Sequence, residues 1–207
     1  MKNIIIFSIL IGFFACNLLG CATQRASDIV GGTTNSSTII QEYFPSNVGY
    51  TWIYQGNDGT FLTCTFEGIS NIGDNEFQKY ITFKSLSSDY LPDNTYGYRY
   101  SDNTVYYYDA SFPVQYYWIP LVFPLEIGKT WPAYHTPDNE QLTALVIGTE
   151  EVTTPAGTFH CFKIGYTKQE NSVTKGTDYI WLGKNVGKVK FTASYGAVEY
   201  TLINKSF

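Results

Sequence analysis

Nine residues, Phe44-Pro45-Ser46-Asn47-Val48-Gly49-Tyr50-Thr51-Trp52, recur as Phe123-Pro124-Leu125-Glu126-Ile127-Gly128-Lys129-Thr130-Trp131. Five of the nine positions are identical, and the two Trp are half of the four in the chain. Fainter matches follow in the same order: Leu62-Thr63 with Leu142-Thr143, Gly68 with Gly148, Phe77 with Phe159, and Tyr98-Arg99-Tyr100 with Tyr179-Ile180-Trp181. Val114-Gln115-Tyr116 parallels Val198-Glu199-Tyr200, and Ile119 parallels Ile203. This order predicts two related halves, residues 44–122 and 123–207. In each opening the Pro fixes chain entry, the Gly permits a tight bend, and Thr-Trp starts a strand with a large anchor. A Trp at such a corner either plugs one end of a barrel or stacks on a ligand. Its presence in both halves favours the architectural role.

Each half reads as five or six short strands. Thr51 to Gln55 runs into Gly56-Asn57-Asp58-Gly59, where Asp-Gly supplies the positive φ of a tight hairpin. From Thr60 to Gly68, Leu62, Cys64 and Phe66 alternate with Thr63 and Thr65, the period of a half-buried strand. Further turns are expected at Gly73-Asp74-Asn75, Ser101-Asp102-Asn103, Pro155-Ala156-Gly157 and Gly183-Lys184-Asn185. Val189 to Ala193 and Ala197 to Ile203 read as a hairpin about Tyr195-Gly196.

Aromatic residues make up 17% of the chain, with 18 Tyr and 14 Phe, and Thr, Val, Ile and Gly are plentiful. That is a strand-forming composition, and no long 3.6-residue periodicity follows residue 21. The expected fold is all-β, an antiparallel meander closing into a barrel or half-open barrel from the two halves of about 80 residues. Charge is sparse and net negative at −5, with no basic run after the N-terminus. Nucleic acid, which needs clustered Lys and Arg, is disfavoured as a partner.

The N-terminus carries an address. Lys2 is followed by an apolar run from Ile4 to Ala15, too short for a spanning helix of about 20 residues and suited to a secretory signal. Leu18-Leu19-Gly20-Cys21 resembles a lipobox, which implies a signal over residues 1–20 and a lipidated Cys21. An ordinary cleaved signal and the rival Cys16 are the alternatives. Residues 21–42, rich in Ser, Thr, Gly and Asn, read as a flexible tether of roughly 25 Å, and 43–207 as a single β-domain. Ala22, where Asp would mark inner-membrane retention, leans the expected location to the outer membrane.

Tyr43-Phe44-Pro45, Gly49, Trp52 and Tyr54, then Thr154-Pro155-Ala156-Gly157-Thr158-Phe159-His160-Cys161, then Tyr179 and Gly187-Lys188-Val189-Lys190 resemble signatures of uncharacterised bacterial lipoproteins. Some of these resemble the half-open β-barrels of LolA/LolB-type carriers, whose curved sheet encloses an apolar cavity. The resemblance implies that fold. Those carriers have a helical lid, and no lid helix is readable here.

Catalytic chemistry has little footing, so a non-enzyme is expected. There are two His: His135 in a Pro-flanked loop, and His160, beside Cys161 on a strand where neighbours point to opposite faces. No Gly-x-Ser-x-Gly elbow, phosphate loop, His-Glu-x-x-His or Cys-x-x-Cys occurs. Asp58, Asp74, Asp102 and Asp138 fall in turns, where Asp caps backbone. No metal or cofactor is implied. Cys64 and Cys161 are either a disulfide, allowed in an oxidising compartment, or two separate buried thiols. The densest aromatic patch yields the candidate ligand-binding residues Tyr96, Tyr98, Tyr100, Tyr106, Tyr108, Tyr116 and Trp118, which serve either as a binding platform or as cross-strand packing. Two roles follow as expectations for an envelope protein joined to a membrane through its N-terminal lipid. One is binding of an apolar or amphiphilic ligand in an aromatic-lined barrel. The other is contact with protein or glycan through a Tyr-rich face.

Overall fold

The computed structural model describes the chain from residue 36, apart from residues 73–74, 87–88, 91–93, 110–116 and 136–139. The proposed signal, Cys21 and Tyr116 therefore lie outside the described residues. The first half runs β1 (Thr51–Gly56), β2 (Phe61–Ile72), β3 (Asn75–Leu86), a two-residue β4 (Asp89–Tyr90) beside β3, β5 (Asn94–Ser101), β6 (Thr104–Asp109) and β7 (Tyr117–Val122). The second runs β8 (Thr130–Pro132), β9 (Tyr134–His135), β10 (Glu140–Thr154), β11 (Gly157–Glu170), β12 (Val173–Gly183), β13 (Gly187–Ala193) and β14 (Val198–Ser206). One helix, α1 (Ser36–Tyr43), precedes them.

All fourteen strands form one sheet in the order β8-β10-β11-β12-β13-β14-β1-β2-β3-β5-β6-β7-β9, with β4 off the path. Each half is an antiparallel meander, and the β14–β1 ladder from Thr51↔Ser206 to Gly56↔Tyr200 joins them. On the other side, no ladder joins β7 directly to β10. A short bridge lies there instead: the Ala133 N–H donates to the Leu142 carbonyl, and the Ala133 carbonyl accepts from the Ile119 N–H. The sheet is a curved, half-open barrel, and several of its strands are longer than the sequence suggests.

The two openings fold alike. The Gly49 N–H donates to the Phe66 carbonyl at 2.9 Å, and the Gly128 N–H to the Val146 carbonyl at 2.8 Å. Tyr50 N–H reaches Asn47 O, and Lys129 N–H reaches Glu126 O, both at 3.0 Å. Both glycines sit at positive φ, +89° and +87°, which a side chain resists. β2 and β10 then carry register shifts at matched places, between Phe66 and Gly68 and between Val146 and Gly148. Beyond them the matching expected from sequence slips. The β10–β11 hairpin ends at Thr154↔Gly157 and the β2–β3 hairpin at Ile72↔Asn75, so each strand of the second pair is longer. By ladder position Phe77 corresponds to Cys161, not Phe159, because Ser70↔Phe77 stands where Glu150↔Cys161 does. Tyr98 likewise corresponds to Leu182, not Tyr179. An even-numbered extension keeps every side chain on its face, so the halves keep a common inside.

That inside is a single core. Phe44, Trp52, Tyr54, Cys64, Tyr98, Val105, Leu121, Ala144, Ile164, Leu182, Val189, Phe191 and Leu202 are all fully buried, each large apolar side chain contributing about 1.5–3 kcal/mol. The two Trp share a backbone position but not an acceptor. The Trp52 indole donates to the Val186 carbonyl in the β12–β13 turn, and the Trp131 indole to Ile119 on β7, both at 2.8 Å. The tether reading is corrected at its end. Residues 36–43 form α1, Ile40 is buried, the Asn185 N–H donates to the Glu42 carbonyl, and Lys184 pairs with Glu42 at 3.0 Å. The sequence hides this helix because it is short and mostly polar. It caps the end of the barrel where β1, β8 and β13 begin.

Because Gly49 and Gly128 meet nothing within 4 Å of an added Cβ, Gly49→Ala and Gly128→Ala should each cost about 1–3 kcal/mol from backbone strain alone, and by similar amounts. Gly148→Ala, with open space and no positive φ, serves as the control. Denaturant midpoints check this; a neutral Gly49→Ala or a costly control contradicts it.

Candidate functional site

Most of the Tyr-rich patch turns inward. Tyr96, Tyr98 and Trp118 are at most 9% exposed. Tyr98 stands 5.3 Å from Phe44 and 5.3 Å from Tyr107, which lies 5.3 Å from Tyr96 and 4.9 Å from Trp118. These spacings are those of rings packed on one another. Tyr100 is half-buried, edge-on to Phe44 at 5.9 Å. Tyr106 takes the opposite face, with the Arg99 guanidinium 5.3 Å from its ring. Tyr108 is buried close to the register shift between β6 and β7. Tyr107, absent from the candidates, is the ring that joins the others. Its signal was the cross-strand pairing of alternating runs, Tyr98 opposite Tyr107.

A lysine lies in the same interior. Lys188 has no exposed surface. Its Nζ is 3.9 Å from the Phe191 ring centroid and 5.7 Å from that of Tyr54, while the Tyr54 hydroxyl donates to its carbonyl at 2.8 Å. Burial pushes its pKa down to about 7, opposed by the nearby Cys64. Cys64 and Cys161 are both buried and no disulfide joins them in the structure. Burial raises the Cys161 thiol to about 12, which suppresses the nucleophilic thiolate. His160 is exposed on the face opposite Cys161, so the two form no dyad.

At the end of the barrel opposite α1, polar groups gather. Asp178 is buried and accepts from Thr192 Oγ1 and from the Tyr195 and Gly196 N–H groups at 3.0–3.1 Å. It thereby pins the β13–β14 turn, where Ser194 and Tyr195 hold positive φ. Burial raises its pKa, and those three hydrogen bonds oppose the rise. A cleft of about 350 Å³ lies at this end, lined by Gln141, Gln169, Asn171 and Ser172. Gln141 and Gln169 are a cross-strand pair on β10 and β11, and Asn171-Ser172 is the β11–β12 turn. On the outer wall the Trp181 indole donates to Glu150, while Lys163 and Lys190 each stand 4.8 Å from a Trp181 ring. Among the described residues, no cluster of three or more His, Cys, Asp or Glu could hold a metal ion.

The fold has solved counterparts. A Bacteroides fragilis protein described as exported, with a YmcC-like fold, aligns with a TM-score of 0.53 and 19% identity over 80% of this chain and 99% of its own. A Parabacteroides distasonis protein described as a lipoprotein aligns with a TM-score of 0.52 and 16% identity over 79% of this chain and 98% of its own. At these identities the likeness is one of fold. A family model described as DUF3108-like matches residues 139–195, from the start of β10 to the β13–β14 turn. No curated protein matches the sequence significantly.

The buried lysine has a pH signature. Unfolded, Lys188 titrates near 10.5 and folded near 7, so above pH 7 the unfolded chain binds the extra proton and stability rises with pH. The rise is up to about 1.4 kcal/mol per pH unit. Above pH 9 the raised Cys161, and above pH 10 the raised Tyr166, act in the opposite sense. Lys188→Met should therefore raise stability at pH 7 and flatten the slope between pH 7 and 9. Parallel pH profiles for the two proteins in urea unfolding would contradict the assignment.

Proposed function

We propose that this chain is a lipid-anchored protein of the bacterial cell envelope that works by contact rather than catalysis, through the outer surface of a self-filled barrel. The observation that carries the reading is the packing of Tyr96, Tyr98, Tyr107 and Trp118 against one another at 4.9–5.3 Å. Rings used in this way stabilise the body, which leaves the rims and outer wall for a partner. The Leu-Leu-Gly-Cys sequence ending at Cys21 supports the anchor, and Ala22 after it supports sorting to the outer membrane. The descriptions of the two similarly folded Bacteroides and Parabacteroides proteins, one as exported and one as a lipoprotein, point to the same compartment. High thiol pKa at Cys161 and the separation of His160 from it support a non-enzymatic role.

A second reading, an apolar or amphiphilic ligand held within the barrel, draws on the side where only the Thr130–His135 bridge stands between β7 and β10. Native mass spectrometry separates the two: co-purified lipid favours the ligand reading, and a bare protein mass favours contact.

Cys21→Ser tests the anchor. Wild-type protein should fractionate with membranes and carry acyl mass on Cys21, and the variant should leave the membrane fraction. A variant that fractionates as wild type does overturns anchoring at this residue.

A further inference from the structure

We propose that the cleft at the end opposite α1 is a binding site for a neutral, hydroxyl-rich saccharide. The inference deepens the contact reading above by naming the partner's chemistry. Gln141 faces Gln169 across one rung of the β10–β11 ladder, which sets two carboxamides side by side. The chain then turns at Asn171 and Ser172, both at positive φ (+49° and +63°), adding a third carboxamide and a hydroxyl. Each carboxamide offers donors and an acceptor together, and a hydroxyl offers both. That is the complement of sugar hydroxyls, which also donate and accept. None of the described residues lining the cleft is charged, and Lys175 beside it is already paired with Glu170 at 3.2 Å, so the lining offers an anionic polymer no cation of its own and suits a neutral one.

Size and placement agree. The volume, about 350 Å³, is at the lower end of small-ligand pockets, about 300–1,000 Å³. The chain enters the barrel at α1, so the cleft lies at the end away from that entry.

The test uses the full mature chain and a panel of neutral gluco-, manno-, galacto- and N-acetylglucosamine oligosaccharides, with oligogalacturonate as the anionic control, read by saturation-transfer NMR and calorimetry. At least one neutral oligosaccharide should bind, and oligogalacturonate should not. A Gln141→Ala, Gln169→Ala double variant should weaken binding about tenfold or more, the loss of two hydrogen bonds. Asn171→Gly keeps the left-handed turn while removing the amide, and it should weaken binding with the melting temperature little changed. Failure of every neutral oligosaccharide to bind overturns the proposal and leaves contact with a protein partner standing. Binding that survives the double variant, or binding of oligogalacturonate equal to the neutral probes, overturns it as well. A mature chain that binds a neutral oligosaccharide yet does not sediment with membranes supports the cleft and overturns the anchor.

Discussion

The Trp52 indole and the Tyr54 hydroxyl both leave the first strand of the first half and end on carbonyls of the second, at Val186 and Lys188, 2.8 Å away in each case. Two buried donors from one strand are thereby satisfied at the start of β13, beyond the intervening β14, and leaving either unmade would cost about 1–3 kcal/mol. A single antiparallel meander has one apolar face and nothing to put it against. Here each half supplies the other's missing layer. The β14–β1 ladder holds them edge to edge, and these hydrogen bonds tie β1 past β14 to the start of β13. The aromatic rings fill the space between. Lys188, enclosed by Phe191 and Tyr54, shows how tightly that space is committed.

This construction gives the molecule two unlike ends. At one, α1 docks through Glu42 on the β12–β13 turn and Phe44 enters the core. At the other, Asp178 gathers the β13–β14 turn, and the carboxamides of Gln141, Gln169 and Asn171 surround a polar cleft. The chain reaches the barrel at the first end, and the polar cleft proposed as a binding site lies at the second.

The parts of this structure written in local turn chemistry were legible. The Phe-Pro-x-x-x-Gly-x-Thr-Trp openings announced a bend followed by a strand, and both fold to the same hydrogen-bond pattern. The hairpin about Tyr195-Gly196 and the turns at Asp102 and Asn185 also follow from residue type, since Gly, Asn and Asp tolerate positive φ. What sequence could not place depends on distant partners. Sequence pairs Phe77 with Phe159 because hairpin length is invisible without the ladder. The role of Tyr107 is not readable from sequence because it depends on pairing with Tyr98 across β5 and β6. The burial of Lys188 is set by Tyr54 and Phe191, and Tyr54 is remote in sequence. The polar cleft had no sequence signal, since Gln and Asn on strands and turns are ordinary surface residues.

If the halves complete one another, they must unfold together. Native-state hydrogen exchange across a denaturant series measures this directly, because sub-global openings show as amides that exchange below the global free energy. Amides of the β14–β1, β2–β3 and β10–β11 ladders should converge on one free energy with one denaturant dependence. An opening in which β10–β13 stays protected while β1–β3 exchanges, or the reverse, would show that each half stands alone and would contradict the shared interior.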